Sequence, residues 1–241
     1  MRGGVQDSDL AIFVIHVDGN EARRIHMERL LKNHCMAAQF ILDGNIETLN
    51  SDRLDRYFSG TMKAARAETS CAFKHILALS SLAQGNSEFG LILEDDIEFF
   101  PSFDGVFAAS LGEARLLGDA ALFVSYERYA WSVPKSDRKI GKVLYPAAGN
   151  RCMGCYLVNR AAAGSLVAFA AKHKCDAPID LFIGILGKDA GVSFYWCYPE
   201  IAQQMSHSGK MDSLISASRA SLVRRIKSRI KSLLIHFFMI A

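Results

Sequence analysis

The sequence predicts an α/β fold: an open, mostly parallel sheet flanked by helices. Three observations predict it. Short apolar runs rich in β-formers recur at 10–17, 37–42, 89–93 and 121–127. Stretches with apolar residues at helical spacing separate them. The first run, LAIFVIHV, is continuously apolar rather than alternating, as a strand covered on both faces would be.

The elements follow in order. DGNEARRIHMERLLKN comes after the first run and places Ile25, Leu30 and Leu31 on a helix. AAQFIL (37–42) is a second strand, stopped by DGN, so the chain opens β-α-β. Residues 44–63 are polar and carry no clear period. The segment 65–85 reads as a helix that ends at Gly85. FGLILEDD is the next strand, SFDGVFAASLGEARLLG a helix closed by Gly118, and ALFVSYE (121–127) another strand. Residues 128–151 read as loop, with Pro134, Pro146 and Gly149. MGCYLVN (153–159) is a strand, 160–173 a helix, 178–187 a short helix and 191–199 a late strand. From 210 onward the pattern is helical.

Half of the 241 residues are hydrophobic and 22% are charged, enough for one domain with a sizeable core. We divide the chain into a domain at 1–209 and a tail at 210–241. The net charge of +3 is unevenly spread. No acid follows Asp212, whereas Arg219, Arg224, Arg225, Lys227, Arg229 and Lys231 do. The body is therefore mildly acidic, which argues against nucleic acid as a partner.

In SLVRRIKSRIKSLLIHFFMI, Leu222, Val223, Ile226, Ile230, Leu233, Leu234 and Phe237 share one helical face between basic flanks. That composition suits an anionic membrane surface, with docking on its own domain or on a second subunit as the alternative. No run reaches the roughly 18 apolar residues of a membrane span. MRGGVQDSDL has no signal-peptide core, and six scattered cysteines suit reduced thiols. The expected location is cytoplasmic, peripheral on the inner face of the cytoplasmic membrane. Cys152 and Cys155 form C-x-x-C; strand geometry would send them to opposite faces, against shared zinc ligation, unless a loop at 149–152 brings them together.

The strand FGLILEDD (89–96) ends in three acids, Glu94, Asp95 and Asp96. Buried charges need partners or a metal, and open α/β sheets bind ligands beyond the carboxyl ends of their strands. Alternation would send Glu94 and Asp96 to one side, where two hard oxygen donors suit Mn²⁺ or Mg²⁺ and a substrate phosphate. A solvated strand end with caps and salt bridges is the other reading.

Further motifs stand around the triplet in a set order. ETSCAFKHILAL precedes it; MGCYLVNRAAAGSL, APIDLFI and YPEIAQQMSHSGKMDSLI follow. Together with the opening FVIHVDGNEARRIHMERLL, they resemble glycosyltransferase family 25, the bacterial lipooligosaccharide and capsule sugar transferases. The resemblance covers roughly residues 10–215. Lys74 departs from it, standing where the family has Ser before His75, and brings a charge near the site.

The resemblance implies a GT-A-like, Rossmann-like domain that is metal-dependent and inverting, with a UDP-sugar donor and a glycan or glycolipid (lipopolysaccharide or capsule) acceptor. The sugar expected is galactose or glucose. Glu94 and Asp96 would serve as the metal-binding DxD motif for Mn²⁺, with His207 as a third ligand. Asp95 joins the donor-binding set. Asp180, at the family's Pro-x-Asp position, would be the catalytic base; an acid at a helix start, held by the helix dipole, is its plainer role. Arg23 and Arg24 begin the first helix, where they would reach the nucleotide diphosphate or else carry surface charge. Glu68 and His75, seven apart on one helix face, would shape the donor pocket or pair in the core. Two other functions fit the triplet: a metal-dependent phosphohydrolase, and a catalytically inactive transferase fold that only binds.

Overall fold

The computed structural model describes residues 9–118, 120–129, 131–208, 211 and 214. Its elements run β1 (Leu10–Ile15), α1 (Glu21–Asn33), β2 (Gln39–Ile41), α2 (Ser51–Tyr57), α3 (Ala67–Gln84), β3 (Phe89–Glu94), β4 (Ile97–Phe99), α4 (Phe103–Leu116), β5 (Leu122–Ser125), β6 (Leu144–Ala147), β7 (Cys155–Asn159), α5 (Arg160–His173), α6 (Ile179–Leu186), β8 (Ser193–Cys197), β9 (Ala202–Gln204) and α7 (Met205–Ser208). The division expected at 209/210 and the predicted tail helix fall outside the described residues.

Seven strands form one sheet in the order β2-β1-β3-β7-β5-β8-β6. β7 and the edge strand β6 run against the other five, so the sheet is mostly parallel, as the sequence predicts. Successive residues of each strand face opposite layers. Phe13, Ile15, Ile92 and Phe123 pack with α3, α5 and α6. Ile12, Val14, Leu91, Leu93 and Val124 pack with α1 and α4. Continuous apolar strands are the consequence: both faces are covered.

Local chemistry places the joints. The Asn159 side chain accepts from the Ala162 N–H, capping α5, and from the Leu122 N–H, pinning β7 to β5. Gly90 sits in mid-strand because a Cβ there would lie 2.6 Å from Leu82 Cδ2 of α3.

Three features depart from the expectation. The polar stretch 44–63 folds into α2 between two 3₁₀ turns. The loop expected at 128–151 contains β6, whose Pro146 is tolerated because the strand is at the sheet's edge. A separate two-stranded sheet, β4 with β9, was not predicted; each strand is three residues long, too short for a period to register.

Candidate active site

β3 ends at Glu94, and Asp95 and Asp96 form the turn into β4. This corrects the expectation that strand alternation orients all three acids, since a turn does not alternate. Their surroundings sort them instead. The strands β1, β3 and β5 end at this edge of the sheet. Antiparallel β7 starts here, which brings Gly154 and Cys155 to the same place. A cleft of about 590 Å³ opens beyond this edge, and Glu94, Asp95, Asp96, Arg23 and Asp180 all line it.

Asp95 is held within the protein. Arg23, itself buried, donates through Nη1 to Asp95 Oδ1, and His16 Nδ1–H donates to Oδ2 at 2.8 Å. Burial would raise the Asp95 carboxyl, but His16 and the Arg23 guanidinium outweigh it and hold it below the usual carboxylate range. Asp96 is the opposite case. It is 2% exposed, and its Oδ1 has no hydrogen-bond partner among the described residues. Burial first, then the Glu94 carboxylate, raise it, against a Ser206 hydroxyl and Arg23. Glu94 is partly exposed and shares its oxygens: Oε2 accepts from Gln204 Nε2 at 2.5 Å, and Oε1 lies 3.3 Å from His75 Nε2. Gln204 reaches it only because position 154 is glycine; a Cβ there would lie 2.8 Å from the Gln204 side chain.

Two more carboxyls feel the same negative centre. Asp180, in the first turn of α6, is raised by burial and by Glu94, against backbone N–H donors. Glu127, just past β5, is fully buried and pushed up to about 8, by burial first and then by Glu94, although its Oε2 accepts from the Gly154 and Cys155 N–H groups. Its Oε1 has no partner among the described residues. Sequence reasoning missed Glu127. An acid directly after a buried strand, as in ALFVSYE, was the available signal, the same one that drew attention to the triplet.

Glu127 therefore carries its proton to higher pH in the folded chain than in the unfolded one. Its contribution to stability is full below the ordinary value of 4.5 and is lost as pH rises through about 8. Glu127→Gln keeps an acceptor for the Gly154 N–H and removes the titration. Thermal unfolding across pH should show the wild type losing stability from acid to mildly alkaline pH more steeply than the variant; parallel curves would refute the assignment.

The other predicted residues divide. Glu68 lines the cleft at the start of α3, paired to Arg66 at 3.0 Å. His75 does not line it. It is fully buried behind Glu94, with Nδ1 3.0 Å from Tyr156 Oη. A core pair of Glu68 with His75 is not formed. Arg24 lies one helix position, about 100°, from Arg23. It is not among the cleft residues: its Nε donates to Glu28 at 2.6 Å and its guanidinium covers the Phe40 ring. The charge expected from Lys74 is turned inward, because its Nζ donates to the carbonyls of His16, Ile41 and Leu42 at the ends of β1 and β2. Burial lowers it to about 8. His207 belongs to α7, and its side chain lies outside the described residues. Of the C-x-x-C pair, Cys155 packs into the core and Cys152 lines the cleft; all six cysteines are free.

Among the described residues no helix is long and apolar enough to cross a membrane. The model of glycosyltransferase family 25 (LPS biosynthesis protein) matches residues 9–183. No curated protein matches the chain. Among solved structures it is similar to the crystal structure of A197 from STIV, at 14% identity and a TM-score of 0.41, over 78% of this chain and 80% of that one; so slight a likeness carries no argument.

Proposed function

This chain belongs to glycosyltransferase family 25, the LPS biosynthesis proteins, and on that footing we propose that it moves a hexose, galactose or glucose, from a UDP-sugar to a lipopolysaccharide, lipooligosaccharide or capsule glycan, with inversion and with Mn²⁺ or Mg²⁺. One observation carries the metal reading. Asp96 offers a buried carboxylate oxygen with no partner among the described residues, beside Glu94 in the cleft, and Asp96, Asp180 and nearby Glu127 are each raised by burial first and then by the Glu94 charge. Such a site is short of a cation. The residues thus fit a hard divalent ion held by Asp96 and Glu94, with His207 as the proposed third ligand. When bound, the ion neutralises the diphosphate of the leaving nucleotide as a Lewis acid.

The rest falls to the chain. Asn45 lines the cleft, and its Oδ1 is buried without a partner among the described residues; it is an acceptor suited to the imide N–H of uracil. Arg23 and His16 hold Asp95 and so brace the turn that presents Asp96. Asp180 is the proposed base. Inversion needs the acceptor oxygen to attack the anomeric carbon from the face opposite the departing diphosphate while a carboxylate takes the hydroxyl proton. A carboxyl raised by burial is a stronger base than a solvated one, which suits Asp180 to that role. Asp180→Asn is expected to lower kcat by about 10²–10⁴ with KM for the donor little changed; unchanged kcat would remove Asp180 from the chemistry.

The test of the whole reading is thermal unfolding with UDP, UDP-galactose, UDP-glucose and GDP-mannose, each with and without Mn²⁺. A Mn²⁺-dependent rise with a UDP ligand is expected, by mass action on the folded state. No rise with any nucleotide sugar would sink it. We further propose that the basic amphipathic segment within 210–241 holds the enzyme on the anionic inner leaflet, near a lipid-linked acceptor. The full chain should sediment with vesicles containing an anionic lipid and be released by salt. Equal sedimentation with neutral vesicles would count against it.

A further inference from the structure

α3 carries Cys71 and His75 one helical turn apart, on the face that looks at the end of β3. The Cys71 sulfur, a His75 ring nitrogen and a Glu94 carboxylate oxygen all lie within 4.8 Å of one another. Cys71 Sγ is 3.7 Å and His75 Nε2 3.3 Å from the same oxygen, Glu94 Oε1. Among the described residues no other trio of His, Cys, Asp or Glu side chains is so gathered. The surroundings fix the ligand atoms. Tyr156 Oη meets His75 Nδ1, so the ring can donate Nδ1–H to the tyrosine and leave the Nε2 lone pair facing Glu94. Gln204 holds Glu94 through Oε2 and leaves Oε1 to the trio.

From this geometry we propose that Cys71, His75 and Glu94 bind a borderline divalent cation, Zn²⁺ or Co²⁺, at a site of their own in the wall of the cleft. Sulfur, imidazole and one carboxylate are a donor set that favours such ions over Mg²⁺ or Mn²⁺, which prefer oxygen. Three protein ligands leave a fourth position for water, and Cys71 and Glu94 both line the cleft from which water would come. On binding, the Cys71 thiol gives its proton to solvent and the thiolate and carboxylate together balance the ion's charge. The site is distinct from the oxygen site at Asp96 but shares Glu94 with it. An ion here would therefore withdraw one donor from the proposed Mn²⁺ site, and Zn²⁺ would act as an antagonist of Mn²⁺.

Co²⁺ titration of the full-length, metal-free protein tests this without any assay of transfer. One equivalent should bring up a sulfur-to-cobalt charge-transfer band in the near ultraviolet with intensified visible bands of tetrahedral cobalt. Cys71→Ser should abolish the charge-transfer band. Tyr156→Phe, which removes the partner of His75, should weaken binding about 10–100-fold. Asp96→Asn should retain the band, which separates this site from the oxygen site and from the glycosyltransferase reading. No charge-transfer band in the folded wild type, or a band that survives Cys71→Ser, overturns the proposal. So does a cobalt signal lost in Asp96→Asn alone. Should Cys71→Ser fail to fold, alkylation of Cys71 in the wild type, mapped by mass spectrometry, decides the same question. Zn²⁺ should protect that thiol, and equal labelling with and without Zn²⁺ overturns the site.

Discussion

Asp96→Asn is expected to lower kcat/KM for sugar transfer by about 10³ or more, within the several kcal/mol that a Lewis-acid cation supplies at a developing charge, and to leave the metal-free protein as stable as the wild type or more so. The two halves have one cause. Asp96 is buried, raised by burial and by Glu94, and keeps one oxygen without a partner among the described residues. In the absence of a cation its charge is a liability, so the isosteric amide relieves it. Removing a buried carboxylate of ordinary structural importance would do the reverse. The Mn²⁺-dependent rise in unfolding temperature with a UDP ligand should vanish in the variant. Differential scanning fluorimetry and a radiolabelled-sugar transfer assay check both halves. A variant that melts well below the wild type while retaining transfer would show that Asp96 serves the fold and not a metal.

Arg23→Met is expected to have the largest effect on stability, about 3–5 kcal/mol, because it leaves Asp95 as a buried charge without its cation. At this chain length that is roughly 6–20 °C in Tm. The Arg23 and Asp95 side chains are only 8% and 6% exposed, so solvent screens the pair little. The alternative role, a diphosphate ligand, predicts no loss of stability in the absence of nucleotide. Asp95→Asn in the Arg23→Met background should recover much of the loss, because it removes the stranded charge. The pH dependence has a definite sign. Asp95 is held low in the folded chain, so its contribution is present above the unfolded value of ~3.9 and is lost as pH falls toward the depressed one. The acid limb of the stability curve should therefore be shallower in Arg23→Met. Equal acid limbs, with an unchanged Tm at neutral pH, would return Arg23 to the nucleotide.

The two carboxyls are neighbours in sequence, and the alternation used to tell them apart does not apply, because the strand stops at Glu94 and both lie in a turn. Their predicted effects differ because His16, 79 residues away, and Arg23, 72 away, both converge on Asp95. Arg23 was legible as a helix-start cation near a strand end, but its partner was not. Arg24 was equally legible and faces elsewhere, since a helix turns about 100° per residue. A one-residue difference in phase is below what a periodicity argument can resolve.

By itself the sequence determined the α/β class, the order of the longer elements, the placement of an acidic cluster at a strand's carboxyl end and, through the ordered motifs, the family. These follow from local period, turn chemistry and spacing, all of which are written within a few residues. Tertiary structure decided what depends on distant partners. The antiparallel insertion of β7 carries Gly154 and Cys155 to the acidic edge, where their N–H groups meet Glu127. It decided that the Lys74 ammonium, at the cleft wall, is tied to three backbone carbonyls, and that His75 stands behind Glu94 with Cys71 and Tyr156. The physical reason is the same in each case: a side chain's charge state and partner are set by burial and by groups brought near through the sheet, and neither leaves a trace in the local sequence.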